Sequence, residues 1–462
     1  MSQHKPFSNV DAAWLRMEDS TNLMMITGVL TFDRLLDFDR LLALFAERLL
    51  RYDRFTMRIA DGRSSTVRPR WETDPHFDLR AHVHRIALPQ PGDDTALQEL
   101  VSDMMSTPLD LSKSPWQIHL VEGCAGGCAL VARLHHAIAD GMALVQILLS
   151  LTDAAPDATA PQPATAPAPT GPIAALERTT QQIGTVGAAA RAALRGDTEV
   201  LRQAVALGAR GMAALNKLVL QSDDPQTIFK GKLGVAKRVC WSRPLALANV
   251  KQIGELTGGT INDVLVAALA GALRRYAVTR GQPTLVDIRA AVPVNLRPLD
   301  QPIQQLGNTF GVVFVELPVS VADPFDRVLV VRQRMNAIKR SLEAQVAYGI
   351  LSVLGTLTPA VADLGVTLLG GKATAVMTNV PGPRQPIFLA GEQLRWLMFW
   401  VPQSGRLGIG ASILSYAGEV RLGIVTDRGL IPDPETIATA FEAEIDELAA
   451  LARVVWHTPE VA

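Results

Sequence analysis

Two adjacent imidazoles followed by an acid and a glycine carry the chemistry of this sequence: His135-His136-Ala137-Ile138-Ala139-Asp140-Gly141. A neutral imidazole near pH 7 suits the removal of a proton from a hydroxyl as that hydroxyl attacks. An alcohol is a poor nucleophile until the proton leaves, whereas a thioester is already an activated acyl donor. One positioned histidine would therefore support acyl transfer from thiol to alcohol without a metal or a covalent intermediate. The tetrahedral intermediate of that reaction carries an oxyanion, which requires a nearby donor. Asn262 is a candidate donor, because it opens the helical run Thr260-Ile261-Asn262-Asp263-Val264-Leu265.

These residues need a strand, a turn and a helix to hold them. The histidines end the apolar run 129–134, and an apolar helical pattern follows at 142–149. Successive strand side chains point to opposite faces, so the two imidazoles cannot both look into one cavity while the strand lasts. His136 is the expected base and His135 a packed, supporting residue at the strand end. Asp140 stands where a helix N-cap belongs, and it is expected to shape the turn and hold the imidazole rather than to react. Asn262 and Asp263 also read as N-terminal helix residues with no other task. A zinc site built on the two histidines and Asp140 is disfavoured, since adjacent strand residues diverge and no third ligand cluster is visible.

The 462 residues, 48% hydrophobic and 19% charged, allow two or three domains with a large core. Lys+Arg and Asp+Glu number 44 and 45, a formal charge of -1, so no basic excess favours nucleic acid. Cys124, Cys128 and Cys240 form no disulfide framework and no metal-ligand pattern, which fits a reducing, cytoplasmic compartment. The N-terminus is too polar and too interrupted by charge for a signal peptide. The greasiest stretch, 350–369, is broken by Pro359, Asp363 and glycines, which argues for buried helices or a tunnel wall over a membrane span.

Residues 1–152 read as one α/β unit, with a strand at 22–30, a helix at 38–50 and a hairpin at 117–122 and 127–134. Residues 153–172 are an Ala/Pro/Thr-rich linker, and 173–225 a helical connecting segment with spaced arginines. A second α/β unit occupies 226–462. Its expected helices are 245–256, 261–279, 325–345 and 434–451, and its expected strands 285–292, 309–317, 373–378, 407–415 and 419–425.

The seven-residue block matches the HHxxxDG motif of the CoA-dependent acyltransferase superfamily. The surrounding blocks narrow the resemblance to bacterial wax ester synthase/diacylglycerol acyltransferases. Pro108-Leu109-Asp110 with Ser114-Pro115-Trp116-Gln117 resembles their proline/tryptophan stretch, although the usual Pro-Leu-Trp here lacks its leucine. Thr260-Ile261-Asn262-Asp263-Val264 is similar to their Asn-Asp motif. Asp11-Ala12-Ala13-Trp14-Leu15, Pro293-Val294-Asn295-Leu296-Arg297, Gly307-Asn308 and Thr378-Asn379-Val380-Pro381-Gly382-Pro383 are similar to further blocks, so the resemblance covers nearly the whole chain.

The resemblance implies two similar α/β domains of the chloramphenicol acetyltransferase-like type, with the active-site tunnel between them. It implies acyl-CoA as donor, diacylglycerol or a long-chain alcohol as acceptor, no cofactor, His136 as general base and His135 in support. Asp140 would be structural, paired with Arg297 across the domain interface. Asn262 would assist near the reacting oxygen or position the substrate. Asp263, Asn295 and Arg297 are the candidate substrate-binding residues, with Asp263 also supporting the local fold. Apolar segments such as 349–371 could line the acyl channel, where each buried methylene contributes about 0.8 kcal/mol. Because the products are water-insoluble, a peripheral meeting with a membrane or lipid droplet is expected. The helices at 173–220 are the candidate contact, against the plainer reading of a helical hairpin packed on the domain.

Two rival functions share these features. A peptide-bond-forming condensation domain has the same HHxxxDG site, but usually sits beside carrier modules, and no carrier-like segment is visible. Plant-type members of the superfamily often end with an Asp-Phe-Gly-Trp-Gly block, which is missing here. A non-catalytic lipid-binding scaffold is opposed by the intact His136, Asp140 and Asn262.

Overall fold

Alternating apolar residues and well-placed caps produce the elements of the first half. The computed structural model describes residues 4–62, 69–124, 126–156, 220–297, 306–354, 370–403 and 407–457. Along the first half run β1 (His4–Pro6), α1 (Asn9–Arg16), β2 (Met25–Phe32), α2 (Phe38–Leu44), β3 (Met57–Ala60), β4 (Arg70–Thr73) and β5 (Val83–Ala87). They are followed by α3 (Asp94–Ser106), β6 (Trp116–Cys124), β7 (Gly127–His135) and α4 (Gly141–Leu151). Ser8, Asp37, Asp93 and Asp140 cap α1, α2, α3 and α4, each accepting a backbone N–H of the first turn. The helix expected at 38–50 is α2 continued by one wide turn, Phe45–Leu49. The hairpin expected around residues 123–126 is the antiparallel pair β6 and β7.

The second half begins with β8 (Lys237–Trp241), β9 (Leu245–Ala246), α5 (Leu247–Thr257), α6 (Ile261–Thr279), β10 (Ile288–Asn295) and β11 (Phe310–Leu317). It continues with α7 (Pro324–Lys339), α8 (Glu343–Leu354), β12 (Ala375–Pro381), β13 (Phe388–Leu389) and β14 (Glu392–Trp400), and ends with β15 (Ile409–Tyr416), β16 (Glu419–Asp427) and α9 (Pro434–His457). The single helix expected at 325–345 is two helices. Arg340 closes α7 with backbone bonds to Ala337 and Ile338, and Ser341 Oγ then accepts from Glu343 N at 3.4 Å to start α8. Helix α6 is buried without interruption from Asp263 to Leu273 and again at Tyr276 and Ala277, which marks it as the centre of its layer. Among the described residues no single helix is long and apolar enough to cross a membrane. The α5–α6 pair approaches that composition, but the two helices meet at 98°.

Two large sheets organise these elements. The second-half sheet runs β11-β10-β12-β15-β16-β8, with β9 also on β16. The first-half sheet runs β13-β14-β2-β7-β6-β5. The two halves are interleaved: β13 and β14 leave the second half and complete the first-half sheet. The reason lies in burial. Leu394, Trp396, Leu397, Met398 and Trp400 are all buried, and β14 finds an apolar partner edge in β2. A second seam is polar: Ser102 and Ser106 of α3 accept the backbone N–H groups of Val239 and Lys237 of β8, at 3.0 and 2.9 Å.

The first residue of the expected linker is tied to β13. Asp153 exchanges backbone bonds with Phe388, both 2.8 Å, and its carboxylate lies 2.9 Å from Arg48. The remainder of that linker and the helices at 173–219, the candidate lipid contact, lie outside the described residues, as do residues 355–369 of the candidate channel wall.

Candidate functional site

Position 135 is the last residue of β7 and position 136 the first of the turn, and this one-residue difference separates the two imidazoles. The His135 ring is buried away from solvent. Its Nδ1 accepts from Ala137 N at 3.0 Å, which leaves the proton on Nε2, 3.3 Å from Glu18 Oε2. Glu18 also accepts from Met24 N at 3.1 Å, and Met24 O accepts from His136 N at 2.7 Å. His135 thus braces the turn from behind.

The His136 ring lines a cavity of about 160 Å³ between the two halves. Trp14 stacks on it with ring centres 4.5 Å apart, and Phe310 lies at 5.5 Å. Burial pushes the imidazole down to about 4, outweighing the nearby Asp140 charge, so the ring is neutral at physiological pH. Nδ1 is buried without a hydrogen-bond partner.

The backbone of the turn is held from both halves. Arg54 Nη1 donates to Ala137 O at 2.7 Å and to Ile138 O at 2.9 Å, and Arg54 Nη2 lies 3.0 Å from Asp11 Oδ2. The other Asp11 oxygen accepts from Asn308 N and Nδ2 at 3.1 and 2.8 Å, and Asn308 Nδ2 also reaches His136 O at 2.8 Å. Asp140 caps α4 through Oδ1, which accepts from Ala143 N at 2.8 Å. Its Oδ2 accepts from Thr309 N at 2.9 Å and from Arg297 Nε at 3.0 Å. The strand end that meets this turn needs a glycine. Gly307 has φ +148°, and its carbonyl accepts from Asp140 N and from the Arg297 guanidinium.

Asn262 lines the same cavity from the first turn of α6. Asn379 Nδ2 donates to its Oδ1 at 2.8 Å, which fixes the amide and leaves Asn262 Nδ2 buried with no acceptor. An unmatched buried donor is costly unless something else meets it. Asp263, one residue on, is turned away. Its Oδ2 accepts from Thr260 N and Oγ1, both at 2.8 Å, in a capping box.

The candidate residues therefore divide. His136, Asp140, Asn262 and Asn295 line the cavity, whereas Asp263 and Arg297 are outside its lining, engaged with Thr260 and Asp140. Asn295 spends its amide on the backbone of Arg297, accepting at 3.1 Å and donating at 3.0 Å. Sequence reasoning placed Asp11, Trp14 and Asn308 only within blocks of the family resemblance, with no individual role, and gave none to Glu18 or Arg54. A signal was present for Asp11, a lone carboxylate among Val10, Ala12, Ala13 and Trp14, all buried. Arg54, in a short turn far from the motif, has no local signal.

The rest of the described lining, from β10, β11, β12 and α7 with Phe399 and Val401, is mostly aliphatic or aromatic, with Thr378, Asn379 and Lys339 as its polar members. No cysteine or serine is among the described lining residues. Burial pushes the Cys128 thiol up to about 11, outside the cavity. Among the described residues no group of three or more His, Cys, Asp or Glu side chains is placed to hold a metal ion.

Comparison with known proteins places this geometry. The family model for the wax ester synthase/diacylglycerol acyltransferase catalytic domain matches residues 7–265, and that for the WS/DGAT C-terminal domain matches 306–449. A probable diacylglycerol O-acyltransferase of Mycobacterium tuberculosis is 28% identical over 462 residues, covering 96% of each chain. A putative diacylglycerol O-acyltransferase of Mycobacterium bovis is 27% identical, covering 87% of this chain and 89% of its own. Among solved structures, the wax ester synthase/diacylglycerol acyltransferase of Marinobacter aquaeolei superposes with a TM-score of 0.68 at 21% identity, covering 97% of this chain and all (100%) of that one. The first condensation domain of the calcium-dependent antibiotic synthetase shares the fold, with a TM-score of 0.60 at 16% identity, covering 97% and 96%.

Proposed function

The chain belongs to the wax ester synthase/diacylglycerol acyltransferase family, and on that premise we propose that His136 is the general base for transfer of a long-chain acyl group from acyl-CoA to the hydroxyl of diacylglycerol or a fatty alcohol. The chain is an O-acyltransferase, and the product is triacylglycerol or a wax ester according to the acceptor. The observation that carries the assignment is a neutral, backbone-clamped imidazole on the wall of an apolar cavity between the two halves.

In this reaction Nε2 of His136 takes the hydroxyl proton as the alcohol oxygen attacks the thioester carbon. The carbonyl oxygen becomes an oxyanion, and Asn262 Nδ2, which has no partner of its own, donates to it. Collapse breaks the C–S bond, and the thiolate of CoA takes the proton back from the imidazolium. That imidazolium forms only while negative charge sits beside it, and the Asp140 carboxylate in the same wall favours it. No enzyme nucleophile takes part in this reading, which is supported by the lack of cysteine and serine among the described lining residues. Asp140, Arg297, Asn295 and Asp263 act through the frame rather than on the substrate. We place the enzyme at a lipid surface peripherally, because its product leaves water.

Purified protein with palmitoyl-CoA and either hexadecanol or diacylglycerol tests the reading. Ester formed with stoichiometric CoA release, and no acylated protein by mass spectrometry when the alcohol is withheld, is the expected result. Failure to release CoA with any alcohol would leave the scaffold reading. A stable acyl-enzyme would overturn direct transfer.

A further inference from the structure

We propose that Lys339, at the end of α7, receives the phosphates of the acyl donor and so marks the mouth by which acyl-CoA enters. This deepens the acyl-CoA reading and rests on it. Lys339 is the sole lysine or arginine among the described residues that line the cavity. It is half-buried, and its ammonium donates to the exposed Asn336 Oδ1 at 3.3 Å, so it spans the cavity wall and the solvent. No carboxylate lies within ion-pair distance of it among the described residues. The next residue, Arg340, is exposed and likewise has no carboxylate partner there. By contrast, Arg334 one turn earlier is spent on Asp287 and Glu316, at 2.6 and 3.3 Å.

The donor has a matching polarity. Its acyl chain is apolar, its thioester is neutral, and its charge is confined to phosphates at the far end. Among the described lining residues the one carboxylate, Asp140, is paired with Arg297, and the wall around His136 and Asn262 is otherwise uncharged and mostly apolar. A polyanion is excluded from that interior and is attracted to an unpaired cation at its rim. With the phosphates at Lys339, the thioester lies inward of them, toward His136. A cation at this rim has no use for diacylglycerol or a fatty alcohol, which carry no charge.

The test compares donors. Palmitoyl-CoA and palmitoyl-pantetheine carry the same thioester and chain, and only the first has phosphates. For Lys339→Glu, kcat/KM with palmitoyl-CoA should fall by about tenfold or more, through KM, while palmitoyl-pantetheine is used within about twofold of the native rate. Lys339→Arg should restore the CoA value. Binding of free CoA, measured calorimetrically, should weaken by a similar factor in Lys339→Glu. Equal losses with both donors, or no loss with palmitoyl-CoA, would overturn the assignment while leaving the acyltransferase reading intact. If the native protein forms ester from neither donor, that reading falls and takes this one with it.

Discussion

Asp140 and Arg297 stand 157 positions apart in the chain, and their side chains meet at 3.0 Å. The carboxylate is nearly buried, and its second oxygen caps the helix that follows the His136 turn. One side chain therefore sets the helix, closes the turn and joins the two halves.

Removing Asp140 should act on the frame before it acts on chemistry. Asp140→Ala removes the carboxylate partner of Arg297 and strips a helix cap, a combined cost of about 3–5 kcal/mol. The urea midpoint should drop accordingly, and activity should fall with it. A fully stable but inactive Asp140→Ala protein would assign Asp140 to the reaction itself.

His136→Gln should do the reverse. The fold should persist, since Nδ1 has no partner to lose. The catalysed rate should fall by about 10²–10⁴-fold, the usual worth of a positioned base. Turnover near the native value, measured as CoA release, would end the proposal for His136.

For Asn262→Ala we expect kcat to fall by about 10²–10³-fold with little change in KM, because the donor is needed when the oxyanion forms. The comparison is with Asn379→Ala, which frees the Asn262 amide to turn and should cost less. An unchanged kcat in Asn262→Ala would make it a packing residue.

The acid limb of kcat/KM should lie far below the usual histidine range. Protonated His136 cannot accept a proton, and burial holds its pKa at about 4 in the free enzyme. Activity should be level from neutral pH down to about 5 and then decline. A limb near 6.5, the unperturbed value for histidine, would contradict the buried, neutral ring.

Stability should carry its own pH dependence. His119 on β6 is also pushed down to about 4, first by burial and then by His84 and Arg133. With folded pKa values below the unfolded one, the unfolded chain binds protons first. Stability is then complete above about 6.5 and is lost as the pH falls toward 4. His119→Gln lies outside the cavity lining, so it should flatten this slope in urea titrations at pH 5 and 7 without changing turnover. An unaltered slope would remove His119 from the balance.

Much of the site was legible from local pattern. A strand running into a turn and then a helix assigns opposite roles to His135 and His136, because side-chain direction alternates only while the strand lasts. Asp140 could be read as a cap from its place before an apolar helix, and the helix Ile261–Thr279 from its periodicity. Patterning also placed the last two strands, β15 and β16, to within two residues. These features depend on neighbours in the chain, and neighbours are what a sequence lists.

Tertiary structure decided the rest. Nothing local to Glu392–Trp400 says that it will leave its own half and join β2, since an apolar strand satisfies either sheet edge. Arg54 braces a turn more than 80 positions away, and Asp11 meets Asn308 across 297 positions. Asn262 and Asp263 look alike from sequence, yet one lines the cavity and the other closes a cap, because α6 is rotated to face one of them inward. Sequence determined which groups were available and which short elements would carry them. Which groups meet was set by packing two sheets around one cavity, where burial and pairing are properties of the assembled molecule.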